Sequence, residues 1–114
     1  MRRDPLDPVF DALASHDRRR MLDIVQESPG MSIAALATHF EMSKVGVLKH
    51  VRLLESAGLV HTEKRGRERR LYFNVMPIQA IYDRWTDCYS EFWASRVADL
   101  KHRLESRERS VKLG

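Results

Sequence analysis

One segment near the middle of the chain constrains the fold most, because it joins two short helical patterns to a basic hairpin. Apolar residues over 32–40 have helical spacing, and a tight turn follows at 41–42. Ser43 can cap a second helix, which continues to residue 55 or 56 before an Ala-Gly pair ends it. We therefore predict two helices joined by a short turn over residues 31–58.

A hairpin with a basic tip follows the second helix. Alternating patterns predict strands at 60–63 and 71–75, and Gly66 between them can adopt the positive φ of a tight turn. Residues 64–70 hold five basic residues and one acidic residue, and the resulting +4 equals the formal net charge of the chain. This focused charge predicts a polyanion ligand, with one helix in the DNA major groove and the hairpin, residues 59–76, on the phosphate backbone. A solvated charged loop is the alternative.

Two short helices are predicted before this unit and one long helix after it. Asp7 can cap the first helix with Pro8 in its first turn, and Asp17 can cap a second helix over 18–26. A proline opens the last helix, which is predicted over 77–106.

The last helix carries an apolar stripe at intervals of three and four residues, too long for four short helices to cover. A second copy of the chain is the most economical partner for the excess, so the stripe predicts a homodimer. The residues assigned to this contact are Tyr82, Trp85, Tyr89, Phe92, Trp93, Val97 and Leu100. The alternative for the aromatic members is a pocket between the dimer helices for an aromatic or lipid-like effector.

Length and composition narrow the class of protein. The 114 residues fit a single domain, 1–114, with a flexible N-terminus at 1–6 and a flexible tail at 107–114. Cys88 is the only cysteine, which excludes an intrachain disulfide and favours a reducing, cytoplasmic location. It is predicted to be an inert buried thiol, or a redox sensor if it meets its dimer mate. Apolar runs are too short for a membrane span, and no secretory signal is present.

No arrangement of residues predicts catalysis. The five histidines are scattered, no nucleophile has a base at a suitable spacing, and no glycine-rich phosphate loop follows a strand. We therefore predict a protein that is not an enzyme and has no cofactor.

The run FDALASHDRRRML at residues 10–22 resembles the opening of the ArsR/SmtB winged-helix repressors, whose pattern is F-x-A-L-(S/A)-x-x-x-R-x-x-I-L. The similarity continues to about residue 76, through Leu36-Ala37, Met42-Ser43, Val47, His50-Val51, Leu53-Leu54, residues 57–60 and the wing from Gly66 to Phe73. The resemblance implies a mainly α fold with a small β-hairpin, a winged helix-turn-helix of five helices plus a two-stranded wing. It also implies a homodimer paired through the last helix and the first helix, at Phe10 and Leu13.

The metal sites of this family have no counterpart here. The family site on the third helix uses C-x-C, but residues 33–40 contain no cysteine. The site on the last helix uses Asp-x-His and a later His, whereas this chain has Tyr89 after Asp87, and Leu100 at the later position. Because zinc and copper sites need three or four converging ligands, no metal is predicted.

Thirteen residues are predicted to contact DNA. On the second helix of the unit they are Ser43, Lys44, Val45, Gly46, Leu48, Lys49, His50 and Arg52, and on the wing Lys64, Arg65, Arg67, Arg69 and Arg70. Lys44 and Lys49 can donate to guanine, and Val45 or Leu48 can contact a thymine methyl group. The alternatives are a core position for Leu48, a solvated face for the two lysines, and pairing of Arg69 or Arg70 with a wing glutamate.

The residues predict a DNA-binding homodimer, and the resemblance implies that it is a repressor of a near-palindromic operator in double-stranded DNA. One alternative is a protein-interaction module that keeps the fold and uses the aromatic helix to bind another protein. The other is a regulator that senses a small-molecule effector at the dimer interface.

Overall fold

The computed structural model describes the backbone of residues 4–113 and the side chains of residues 4–87 and 92–107. The chain divides into two compact units, Met1–Ile81 and Tyr82–Gly114. The prediction of a single domain over residues 1–114 remains a prediction. No helix in the described part of the chain is long and apolar enough to cross a membrane.

The described elements are mainly helical, with a small sheet whose first strand precedes the third helix and whose other two strands lie between the fourth and fifth helices. The helices are α1 Asp7–Leu13, α2 His16–Glu27, α3 Ile33–Ala37, α4 Lys44–Ser56 and α5 Met76–Leu113; the strands are β1 Met31–Ser32, β2 Val60–Arg65 and β3 Glu68–Phe73. Together they confirm the predicted winged helix-turn-helix fold.

The sheet has three antiparallel strands in the order β1-β3-β2, whereas the sequence predicts only the hairpin of β2 and β3. β1 pairs Met31 with Leu71, and the amide of Gly30 donates to the Leu71 carbonyl at 2.8 Å. A two-residue strand gives no alternating pattern, so its pairing follows only from the tertiary structure. Gly66 has φ 63°, which confirms the predicted tight turn at the wing tip.

The core of the first unit lies where the helices meet the sheet. Its fully buried side chains include Met21 of α2, Leu36 of α3, Leu54 of α4 and Leu71 of β3. The predicted buried positions of α4 are Val47, Val51 and Leu54, and all three are buried. These residues fix which side of α4 meets the protein and which side is exposed.

The N-terminal caps of the first two helices differ from the predictions. Ser15, not Asp17, caps α2, because its hydroxyl oxygen accepts from the Arg18 amide at 3.3 Å from extended backbone. Asp7 is the first residue of α1 rather than its cap, and its carboxylate accepts from the Asp4 amide at 3.0 Å. At the start of α2 the sequence offers both Ser15 and Asp17, and the backbone geometry selects Ser15, whereas the cap position of α1 is Leu6, whose side chain makes no capping bond.

Two helix ends also differ from the predictions. α3 ends at Ala37 instead of residue 40, and the Thr38 hydroxyl donates to the Ala35 carbonyl at 2.6 Å there. α5 continues to Leu113, so its predicted end at residue 106 is too early. An i,i+4 ion pair between Asp99 and Arg103, at 3.2 Å, favours the helix in the turns before residue 106.

The predicted flexible ends fall partly outside the described residues. Residues 1–3 and 114 lie there, while Asp4 and Leu6 belong to a hydrogen-bonded turn before α1. The predicted tail at 107–114 is helical as far as Leu113.

Candidate nucleic-acid interface

Serine caps set the starts of both helices of the helix-turn-helix. The Ser32 hydroxyl accepts from the Ala35 amide at 3.0 Å, and the Ser43 hydroxyl accepts from the Gly46 amide at 3.1 Å. The Ser43 side chain is exposed, so the first turn of α4 is open to a ligand. Unpaired amides at a helix start attract anions such as phosphate.

The predicted base-contacting residues of α4 divide into exposed and half-buried positions. Lys44, Val45 and Lys49 are exposed, and Val45 has 64% of its surface open although it is apolar. Leu48 is half-buried and packs against the core, as the alternative for this residue proposed. The exposed methyl groups of Val45, beside Lys44 and Lys49, suit a surface that contacts DNA bases. The half-buried Leu48 side chain is less accessible to the bases.

Gly46 lies against the turn that precedes α4. A Cβ atom built there would be 3.4 Å from the Ser43 hydroxyl oxygen and 3.6 Å from the Met42 sulfur, both ordinary contact distances. The protein itself therefore has room for alanine at this position, and its fold does not account for the glycine.

The two faces of the wing differ in how their charges are paired. Because side chains alternate along a strand, Lys64 and Arg69 share the face that carries buried Leu71, and the other face carries Arg65 and Arg70. On that other face, Arg70 contacts Glu68 at 2.9 Å and Arg65 contacts Glu63 at 3.7 Å. The Arg70–Glu68 pair is the alternative predicted for this residue, and Arg70 also donates to the Gly30 carbonyl at 3.2 Å, so it supports the sheet.

The cations on the helix-facing side have no such partners. Lys64 and Arg69 are directly opposite each other across the hairpin, and neither contacts a carboxylate in the described part of the chain. Like charges opposite each other destabilise a hairpin. A polyanion placed against this face would remove that penalty.

A groove of about 380 Å³ lies between the start of α3, α4 and the wing. Apolar Leu48 and Val51 lie along it, and Lys44, Arg52, Arg67 and Arg69 line it from α4 and from the wing. Two acidic residues, Glu55 and Glu68, also line it, so its basic residues outnumber its acidic ones by four to two. Glu55 accepts a hydrogen bond from the Thr62 hydroxyl at 3.3 Å, and Glu68 pairs with Arg70. α4 and the wing therefore border one concave, cationic surface.

Arg52 and His50, two of the predicted DNA contacts, differ in their surroundings. The Arg52 side chain is exposed at the groove. His50 is half-buried, and its Nδ1 lies 3.1 Å from Nη1 of Arg18 in α2. Arg18 is the arginine of the F-x-A-L-(S/A)-x-x-x-R pattern, but its spacing along the chain predicts no role at the DNA surface.

The predicted dimer residues are mostly exposed in the single chain. In the second unit Trp85 is 55% exposed and Phe92, Trp93, Val97 and Leu100 are similarly open. The rings of Phe92 and Trp93 meet edge to face, with centroids 5.6 Å apart. In the first unit Phe10 is 37% exposed and Leu13 is half-buried against the core. The side chains of Cys88 and Tyr89 lie outside the described residues.

A large exposed apolar surface marks a binding site rather than a solvated face. Within the described residues, no group of three or more His, Cys, Asp or Glu side chains is placed to hold a metal ion.

Comparisons with known proteins identify the family. The model of the family described as HVO_A0114 matches residues 13–80. YuzN of Bacillus subtilis (strain 168), an uncharacterized HTH-type transcriptional regulator, is 31% identical over 87 residues, which cover 71% of this chain and 95% of YuzN.

Solved structures agree with this assignment. The crystal structure of an ArsR family transcriptional regulator has a TM-score of 0.67 and 31% identity, and the match covers 83% of this chain and 98% of that one. An ArsR-like regulator from Rhodococcus sp. RHA1 has a TM-score of 0.63 and 28% identity over 86% of this chain and 91% of its own. The chain belongs to the HVO_A0114 family and is a DNA-binding, winged helix-turn-helix transcriptional regulator of the ArsR type.

Proposed function

We propose that this regulator is a homodimeric repressor that places α4 of each subunit in the major groove of a near-palindromic operator. The observation that carries this proposal is the sorting of charge on the wing. The cations that face α4 lack acidic partners in the described part of the chain, while those on the opposite face are paired with Glu63 and Glu68. Charged residues that served only to keep the hairpin soluble would not have to be divided into an unpaired face and a paired face.

Each exposed group has a chemical role in the proposed complex. Lys44 and Lys49 donate to guanine O6 and N7, and Val45 packs on a thymine methyl group. The start of α4 at Ser43 and the Arg52 guanidinium bind phosphate. Gly46 allows the helix backbone to approach the duplex closely.

The wing completes the contact in this proposal. Lys64, Arg67 and Arg69 follow the phosphate backbone, and one arginine enters a narrow minor groove. Arg65 and Arg70, which have acidic partners, contribute less than the sequence alone predicts. Such a regulator acts in the cytoplasm, where its DNA lies, and its proposed role is not enzymatic.

The dimer in this proposal forms through α5 and α1. Support comes from the exposed apolar residues of both helices, since a second copy would bury the Trp85 and Phe92 rings as well as Phe10. A small-molecule effector at this interface stays a prediction, and so does the use of the same helix by another protein.

Affinity measurements on two variants test the proposed DNA contacts. The duplex is one that the wild-type protein selects from a random pool, and a scrambled duplex is the non-specific reference. We expect Lys49→Ala to cost about 1–3 kcal/mol on the selected duplex and to reduce the preference over the scrambled one. Arg67→Ala should weaken binding to both equally and lower the salt slope by about one unit.

Arg65→Ala is the matched wing control, because its guanidinium is paired with Glu63 on the far face. It should change affinity much less than Arg67→Ala does. Unchanged affinity of Lys49→Ala for the selected duplex, or failure of the wild type to select any duplex, would contradict the proposal.

A further inference from the structure

The Arg18 side chain joins the end of α1 to the middle of α4. Its Nε donates to the Ala12 carbonyl at 2.8 Å, and its Nη2 donates to the Asp11 carbonyl at 3.0 Å. Its remaining nitrogen, Nη1, lies 3.1 Å from Nδ1 of His50. The guanidinium is thus held by two carbonyl groups at the end of α1 while it contacts an imidazole on α4.

This contact fixes the position of the proton on the His50 ring. A guanidinium has only donors and stays charged, so Nδ1 must accept, and a neutral ring then carries its proton on Nε2. Nε2 has no hydrogen-bond partner among the described residues. Every buried side-chain nitrogen and oxygen in that part of the chain has a partner, so Nε2 is not buried. The Nε2–H group is therefore exposed to solvent, with its hydrogen-bonding capacity unused.

We propose that Arg18 is a positioning residue for DNA binding, which holds His50 in the tautomer whose Nε2–H donates to a DNA phosphate. The inference rests on the proposed docking of α4, and it assigns a function to a residue that does not itself touch the duplex. Arg18 prevents the ring from turning and excludes the other tautomer, so the donor is oriented before DNA arrives. Such preorganisation lowers the entropic cost of the contact.

The neighbouring Arg19 provides a matched control. Its Nη1 donates to the Leu13 carbonyl at 2.7 Å, so it also binds the end of α1 with a positive charge, but it does not contact His50. Arg18→Gln and Arg19→Gln therefore remove the same charge, although the first removes two bonds to α1 and the second removes one. Only the first removes the bond to the imidazole.

A double-mutant cycle with DNA affinity as the readout tests the coupling. Arg18→Gln should weaken binding about 2- to 10-fold when His50 is present and should have no such effect in a His50→Ala background. Arg19→Gln should have the same small effect in both backgrounds. An equal loss for Arg18→Gln in both backgrounds would overturn the proposal, because Arg18 would then act without His50.

Two substitutions of His50 keep the proposal testable if Arg18→Gln does not fold. Glutamine places an amide N–H near the position of Nε2, and asparagine places an oxygen near Nδ1, which keeps the bond from Arg18 but loses the outward donor. We expect His50→Gln to retain more DNA affinity than His50→Asn. The reverse order would mean that the pair only supports the fold, and it would overturn the phosphate contact.

Nitrogen-15 spectra of the histidine rings in the free protein test the tautomer without DNA. We expect an unprotonated Nδ1 and a protonated Nε2 for His50, a mixture of tautomers in Arg18→Gln, and no change in Arg19→Gln. A proton on Nδ1 in the wild type would overturn the inference. Because this measurement needs no duplex, it separates a failure of this inference from a failure of the proposed function, which the Lys49→Ala affinity reports.

Discussion

Replacing Arg69 with threonine should stabilise the free protein while weakening its binding to DNA. Arg69 is directly opposite Lys64, and neither has a carboxylate partner within the described residues. A like-charge pair in this position costs roughly 0.2–1 kcal/mol, and threonine also suits a strand. For a unit of this size we expect the melting temperature to rise by about 1–8 °C.

The same substitution removes one proposed phosphate contact. Each contact contributes about 0.9 to the slope of log affinity against log salt concentration. Between 50 and 200 mM salt, the affinity of Arg69→Thr should therefore fall about 3.5-fold less than that of the wild type. Fluorescence anisotropy with a labelled duplex measures the slope, and calorimetry of the free protein measures the melting temperature.

Arg65→Thr provides the control on the far face of the wing. Arg65 is opposite Glu68 and pairs with Glu63, so its loss should lower stability slightly and change the salt slope less. Lower stability of Arg69→Thr together with an unchanged salt slope would refute the reasoning from charge sorting.

Further predictions concern α4 and α5. Gly46→Ala should raise the free energy of unfolding by about 0.5–1 kcal/mol, because Met42 leaves room for the methyl group. It should also weaken DNA binding, because the duplex approaches the α4 backbone there in the proposed complex. Chemical denaturation measures the first effect, and fluorescence anisotropy measures the second. Ser43→Ala should lower that free energy by about 0.5–2 kcal/mol by removing the bond to the Gly46 amide, and an unchanged denaturation midpoint would contradict the assigned cap. Trp85→Asp should convert the proposed dimer to monomers in analytical ultracentrifugation, whereas Arg103→Ala, which disturbs only an exposed ion pair on the same helix, should not.

The sequence predicts the elements whose patterns are local and strong. The Ser43 cap and the buried positions Val47, Val51 and Leu54 identify α4 with its correct start and orientation, since each depends only on residues within the helix. Gly66 likewise marks the turn of the wing, because few other residues adopt a positive φ.

The remaining features depend on contacts between distant parts of the chain. β1 exists because Met31 meets Leu71, and a two-residue strand has no period to detect. The bond between Arg18 and His50 spans 32 residues, so spacing along one helix cannot reveal it. The sorting of the wing charges follows from the strand register, which the composition of residues 64–70 does not specify.

Hydroxyl-radical footprinting on the selected duplex tests most directly whether two copies hold one operator through α4 and the wing. A dimer bound in this way should give two protected patches related by a dyad, with their centres separated by one helical turn, roughly 34 Å. A single patch, or no protection at low ionic strength, would contradict it.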